Sequence, residues 1–343
     1  MGSQANFLQS LGWAVWNSLW QMALLWVVYQ LLTGLLPKTK PAAKSGLATT
    51  LLLLGFVWFV YTFFAVFSGR TVTADTLASG FLSPDPASGL NNWLQRSLPT
   101  ASIVYLTLLL LPVFRFIRNY RYVQIIRRYG LSKLQVDWRM FVNKTAARMG
   151  IQKPVHAWIS EWVTSPVTIG FWKPVILVPL AAINHLTPQQ IEAVLLHELA
   201  HIRRSDYLVN LVINFIQTIL YFNPFVKAFV KIVEREREKS CDEMVLQFQY
   251  DSHDYATALL TLEKTSHLQR PFVLAASGNK NDLLHRVESI LGIHKKPVFT
   301  FNKLAGVIAG FLCIITLNAL LLINKPVADK SVSLFTEIGS PVA

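Results

Sequence analysis

The chain has 343 residues, 52% of them hydrophobic and 15% charged, with 32 lysines and arginines against 19 acids for a formal net charge of +13. A mean hydropathy of +0.39 excludes an ordinary soluble domain and points to a protein that crosses a membrane. Two cysteines exclude a disulfide-stapled fold.

Residues 8–36 carry no charge and exceed the about 20 apolar residues that span a bilayer. The stretch is too long for a cleaved signal peptide and lacks its basic start, so it reads as a retained first span. Lys38, Lys40 and Lys44 follow without an acid, which places that loop in the cytoplasm. Residues 47–68 are a second span. The next loop balances Arg70 and Arg96 against Asp75 and Asp85 and is rich in Gly, Ser and Pro, so it reads as external. A shorter third span covers 98–114, with Pro112 near its end. Arg115, Arg118, Arg121, Arg127 and Arg128 follow at once. Because these arginines abut a span, the basic excess reads as an inner-leaflet belt that attracts anionic lipid, and direct nucleic-acid binding is not expected.

Short β-branched runs at 155–159, 167–170 and 175–178, separated by Pro and Gly, predict a small sheet. An edge strand of such a sheet can hold a peptide extended beside a reactive centre. Thr187-Pro188-Gln189-Gln190 is a helix start, with Thr at the N-cap, Pro at the first helical position and Gln closing a capping box. Ile191, Val194 and Leu195 carry the helical period into His197-Glu198-Leu199-Ala200-His201. Two histidines four apart project from one helix face and reach one metal ion. Glu198 points about a quarter-turn away, where it can hold a water at the metal and take its proton. This is the arrangement of a zinc metallopeptidase.

An open catalytic site needs a third protein ligand. The run 234–243 reads Glu-Arg-Glu-Arg-Glu-Lys-Ser-Cys-Asp-Glu, and most of its charges suit a solvated helix face. Glu238 and Asp242 share a face, which predicts Glu238 as third ligand and Asp242 as an acceptor that orients a ligand histidine. Cys241 stays open as a competing ligand, and would make the site look structural.

Residues 207–226 also lack charge and by hydropathy alone could cross the bilayer. A crossing would put Glu238 on the opposite side from His201. Asn223-Pro224 is a turn signal, and about 24 Å of helix before it is matched by about 21 Å after it, so a membrane-associated hairpin over 207–238 is expected instead. Ser205 and Asp206 suit the bend that this requires. Asn210, Asn214, Gln217 and Tyr221 form a polar stripe suited to the membrane surface or a wet cleft. After Asp242 the pattern is helical through Leu262, then a loop at 277–281 precedes a helix at 283–291. Ser277-Gly278-Asn279-Lys280 matches Ser-x-x-Lys but lacks the companion motifs of penicillin-binding enzymes. His285 and Arg286 are candidates to stabilise an oxyanion or contact substrate. Residues 304–324 are a fourth span, followed by an external tail at 325–343.

His-Glu-Leu-Ala-His-Ile-Arg-Arg-Ser-Asp at 197–206, Glu-Lys-Ser-Cys-Asp at 238–242 and Ser-Pro-Val-Thr-Ile-Gly-Phe-Trp-Lys-Pro-Val-Ile-Leu-Val-Pro at 165–179 together resemble the gluzincin-like membrane metallopeptidase family of the β-lactam sensor-transducers and antirepressors. The resemblance covers roughly residues 1–325. It implies that His197, His201 and Glu238 bind zinc. More distantly the pattern is similar to heat-shock membrane metallopeptidases and CAAX-prenyl endopeptidases, which share the aspartate at Asp206, a further residue behind the ligands. The best-known members carry a large external penicillin-binding domain after the last span. Only about twenty residues follow Asn324 here, so direct β-lactam sensing is not expected of this sequence, unless it is a piece of a longer chain.

The expected architecture is mainly α: three N-terminal transmembrane helices over 1–114, a cytoplasmic α+β zincin-like domain over 115–303, and the fourth helix. The expected setting is a bacterial cytoplasmic membrane, with the N-terminus external. The expected function is a zinc endopeptidase that cleaves a cytoplasmic or membrane-proximal protein in signalling, a repressor or the chain itself, with homodimer formation left open. The alternative is a catalytically idle transducer with a structural zinc site. A transporter is disfavoured because no span holds a central ionisable residue.

Overall fold

The computed structural model describes residues 2–36, 38–68, 89–248, 250–268 and 278–293. The predicted fourth span at 304–324 and the tail after it lie outside them. Among the described residues three helices are long and apolar enough to cross a membrane: α1 (Gly2–Leu35), α2 (Pro41–Phe67) and α3 (Gly89–Ile126). No proline or charge interrupts the apolar run of α1, and α2 has a mean span hydropathy of 2.2. Pro112 does not end α3, which continues through the basic flank to Ile126. Large apolar side chains on these helices stay exposed, among them Leu35, Val57 and Leu110, as a lipid-facing surface requires.

By contacts the chain divides into two compact units. In the first, whose described residues are 2–20, 60–68 and 89–105, helices approach closely over small residues. The Ser102 hydroxyl donates to the Leu8 carbonyl at 2.6 Å. A Cβ on Gly12 would lie 2.9 Å from the Ser102 hydroxyl oxygen, so only glycine allows this crossing.

The second unit (Gln21–Phe59 and Leu106–Thr300) holds the sheet and the motif helices. Strands β1 (Leu131–Lys133), β2 (His156–Ser160), β3 (Val167–Ile169) and β4 (Val175–Pro179) form one sheet in the order β1-β2-β4-β3. β2 runs parallel to β4, and the other two pairs are antiparallel. The three predicted strands are present. β1 was not legible, being only three residues with a Ser and a Lys, and it forms because it pairs with β2. All five residues of β4 are buried, which fits its unbroken apolar run. A helix α4 (Val136–Arg148) follows β1, and a short α5 (Leu180–His185) follows β4.

Helix α6 (Pro188–Arg203) starts with the predicted capping box: the Gln190 backbone N–H donates to the Thr187 hydroxyl at 3.3 Å, and the Thr187 N–H donates to the Gln190 side chain at 3.1 Å. Leu195, Leu196, Leu199 and Ala200 are fully buried at the centre of the main apolar cluster, which clamps the motif residues in place. Behind α6 the chain turns at Ser205, whose φ of 58° is the sole positive value at a non-glycine among the described residues. The expected side-chain cap is not made there; backbone geometry makes the bend, and Asp206 is engaged elsewhere. Helix α7 (Asp206–Ile219) leads to Asn223, whose side chain accepts from the Phe225 and Val226 N–H groups at 3.0 and 3.4 Å and starts α8 (Pro224–Gln247). The hairpin tip packs among the apolar helices: Phe215 meets Phe56, Phe225 meets Trp26, and Phe229 meets Tyr29, with centroids about 6 Å apart.

The sequence reads as helical through Leu262, but the chain breaks after α8 and restarts as α9 (Ser252–Leu268). The Asp251 carboxylate accepts from the Asp254 N–H at 2.9 Å and so caps a new helix. Helix α10 (Gly278–Ile290) begins five residues before the predicted start.

Candidate metal centre

The α-helical period places His197 and His201 one turn apart, and α8 brings Glu238 opposite them. The two Nε2 atoms are 3.2 Å apart. Glu238 presents Oε2 at 3.5 Å from His197 Nε2 and Oε1 at 3.6 Å from His201 Nε2. Donors bound tetrahedrally at zinc distances lie roughly 3.3 Å from one another, so these three residues fit such an ion.

What stands behind each ring fixes its tautomer. His201 Nδ1 donates to Asp206 Oδ2 at 2.8 Å. His197 Nδ1 donates to the Tyr255 hydroxyl at 2.9 Å, and Tyr255 in turn donates to Asp242 Oδ1 at 2.7 Å. Asp242 Oδ1 also lies 3.2 Å from His197 Nδ1. With both Nδ1 atoms carrying protons, both Nε2 atoms offer lone pairs to the same point. Two lone pairs and a carboxylate facing one another call for a cation between them, or a proton.

Without a metal, a proton answers that demand. Burial pulls the His197 pKa down, but its hydrogen bonds to Asp242 and Glu238 outweigh burial and raise it to about 9. Burial would raise the Glu238 carboxyl; the His197 hydrogen bond and the charges of His201 and Arg286 hold it well below the usual carboxylate range. Asp242 is likewise desolvated, yet Arg286 and His197 bring it down to about 2.

Glu198, 6% exposed, accepts from the Thr168 hydroxyl through Oε2 at 2.7 Å. Thr168 lies on β3, the edge strand, and β3 with the loop before it lines a cleft of about 410 Å³ together with His197, Glu198, His201 and Glu238. Cys241 lies on the other ring edge of His201, with its sulfur 3.5 Å from Nδ1. Burial and the neighbouring Asp206 carboxylate push its thiol well above the usual value, which disfavours the thiolate that zinc would need. A metal held by Cys241 would also displace Asp206 from His201.

The two oxyanion candidates stand differently from expectation. Arg286 reaches the cleft from α10, but its guanidinium donates to both Asp242 oxygens at 2.8 and 2.9 Å and pairs with Glu238 Oε2 at 3.1 Å. It therefore braces the carboxylates. The His285 side chain is 57% exposed, pairs with Glu288 at 3.5 Å, and does not line the cleft. Sequence reasoning missed Tyr255, which carries no motif, and Thr168, which lies within the 165–179 motif but was given no role of its own. It also missed Arg204, which reaches Asp206 Oδ1 at 3.5 Å and donates to Ser240.

Residues 84–290, more than half of the chain, match a family model described as BlaR1 peptidase M56. Over 243 residues (68% of this chain) the sequence is 24% identical to the methicillin resistance mecR1 protein of Staphylococcus aureus. Over the same length and share it is 21% identical to the regulatory protein BlaR1 of that species. A stretch of 110 residues, 32% of the chain, is 34% identical to the regulatory protein BlaR1 of Bacillus licheniformis. These matches take in 40%, 39% and 16% of the relatives' own lengths, so the chain spans well under two thirds of each.

Proposed function

We propose, from the premise that this chain belongs to the BlaR1 peptidase M56 family, that it is an integral-membrane zinc endopeptidase acting in signal transduction. One observation carries this reading: two Nε2 lone pairs and the Glu238 carboxylate converge, each ring turned by an oxygen acceptor on its Nδ1. His197, His201 and Glu238 would hold the zinc ion, which when bound polarises a peptide carbonyl and a water as a Lewis acid.

The chain's own residues do the rest. Thr168 fixes Oε2 of Glu198, leaving Oε1 to take a proton from the water as its oxygen attacks the carbonyl carbon. Glu198 then delivers that proton to the nitrogen as the C–N bond breaks. The outer edge of β3 has no strand partner among the described residues, so it can pair with an extended substrate main chain, which aligns any sequence past the site without reading it. Arg286 neutralises Asp242 and Glu238 and holds α10 against the site.

The regulatory and methicillin-resistance names of the relatives support a substrate that is a repressor or the chain itself. The lysines before α2 and the arginines of α3 support a bacterial cytoplasmic membrane setting, with the N-terminus external and the site facing the cytoplasm. They also support attraction of the chain to anionic lipid.

The test is Glu198→Gln in the full chain. The amide cannot accept a proton, so self-cleavage or repressor cleavage falls by roughly 10²–10⁴-fold while bound zinc stays unchanged. If signalling in cells survives this change intact, proteolysis is not how the protein acts, and a transducer with a structural zinc site replaces this reading.

A further inference from the structure

Beside the metal centre, α7 and residues 108–123 of α3 enclose a second groove, of about 620 Å³. It shares Tyr207 and Asn210 with the walls of the catalytic cleft, but it has no part in the chemistry proposed above. Its α3 wall repeats at helical spacing over about 22 Å. That wall is apolar at Leu108, Leu111 and Phe116, while its α7 wall carries the polar stripe of Asn210, Asn214 and Gln217.

Two cations, Arg115 and Lys227, line the groove, and no acidic residue does. Both are exposed, and neither has an ion pair among the described residues. Pro112 adds a further polar group, since it cannot donate to the Leu108 carbonyl one turn back.

The groove's depth follows from its neighbours. Phe215 of α7 meets Phe56 edge to face, near the midpoint of α2, so the stripe lies level with the apolar helices. Leu108, Leu111 and Ile117 of α3 are about half exposed, which opens the groove sideways to lipid. A neutral apolar molecule would offer nothing to the amides or to either cation. An occupant with an anionic head, hydrogen-bonding groups and an apolar tail meets every wall.

We propose that the α3–α7 groove is a binding site for an anionic phospholipid. Arg115 and Lys227 hold its phosphate, the Asn214 and Gln217 amides bond its polar head, and its acyl chain lies along Leu108 and Leu111. Arg115 is the first charge after the third apolar stretch, which is the headgroup level. The arginines that follow it attract anionic lipid to the surface in general; the groove selects and retains one molecule.

The experiment uses the full chain in nanodiscs of equal phosphatidylglycerol and phosphatidylcholine, released into native mass spectrometry. Wild type retains phosphatidylglycerol in preference to phosphatidylcholine. Arg115→Gln with Lys227→Gln lowers that retained fraction by roughly tenfold or more, whereas Arg118→Gln with Arg121→Gln leaves it unchanged. Asn214→Trp fills the groove from its other wall without touching either cation, and lowers retention too. Folding of each variant is checked by circular dichroism, and because Arg115 and Lys227 are exposed, their loss leaves the core intact. Equal retention by wild type and the Arg115/Lys227 variant overturns the site. So does an equal loss in the Arg118/Arg121 variant, or equal retention of phosphatidylcholine. Unchanged lipid with lost peptidase activity in the Arg115/Lys227 variant gives the groove to the polypeptide substrate instead.

Discussion

Replacing Tyr255 with Phe removes one hydroxyl from the wall behind His197 and nothing else. That oxygen takes the His197 Nδ1 proton at 2.9 Å and donates to Asp242 at 2.7 Å. The residue is 1% exposed, so water does not take the vacated position. Loss of a hydrogen bond to a charged group costs about 1.5–3 kcal/mol, but the site retains substitutes. Asp242 still receives two bonds from Arg286, and its Oδ1 lies 3.2 Å from His197 Nδ1, ready to become the acceptor. Losing a partner behind a metal ligand typically weakens metal binding by roughly 10–100-fold, and here the lower end, about tenfold, is expected. Asp206→Ala is the contrast. The other acceptor near His201 Nδ1 among the described residues is the Cys241 sulfur at 3.5 Å, a weak one, so the loss there approaches about a hundredfold. Competition of the detergent-solubilised chain against a chromophoric zinc chelator at neutral pH measures both. If Tyr255→Phe binds zinc as tightly as wild type, or more weakly than Asp206→Ala, the account of how the rings are held is wrong.

Alanine at His197, His201 or Glu238 abolishes stoichiometric zinc, as elemental analysis of the purified chain would show, whereas Cys241→Ser keeps it; the reverse outcome for Glu238 and Cys241 would reassign the third ligand. In the metal-free chain His197 holds its proton up to about 9, so zinc loading at neutral pH expels a proton. The apparent affinity should rise about tenfold per pH unit between pH 7 and 9 and then level off; a flat profile refutes the assignment. Thermal melts of the chelated chain carry the same linkage with opposite sign. The raised pKa of His197 contributes stability that is full below its ordinary 6.5 and lost as pH rises through about 9. The lowered pKa of Asp242 contributes stability that is present above its ordinary 3.8 and lost as pH falls toward about 2.

Sequence by itself determined the features that repeat over one or two turns of chain. The capping box at Thr187, the shared face of His197 and His201, the β-branched strands, the Asn223-Pro224 turn and three of the apolar helices are local patterns. Each is set by the period of the backbone or by one residue's dihedral preference. Tertiary structure decided which groups stand behind those residues. Tyr255 lies 58 residues from His197, Arg286 lies 44 from Asp242, and Thr168 lies 30 from Glu198. The end of α8 at Gln247 and the restart of α9 at Ser252 that delivers Tyr255 were hidden by a continuous helical pattern. Arg286 was legible as a cation in the right region, but its partners were not. Cys241 was indistinguishable from a ligand until it proved to lie on the Nδ1 edge of His201. No periodicity encodes such pairings, because they depend on which helix faces are buried against each other. Burying a carboxylate or an imidazole is tolerated only where another element brings a partner within hydrogen-bond reach.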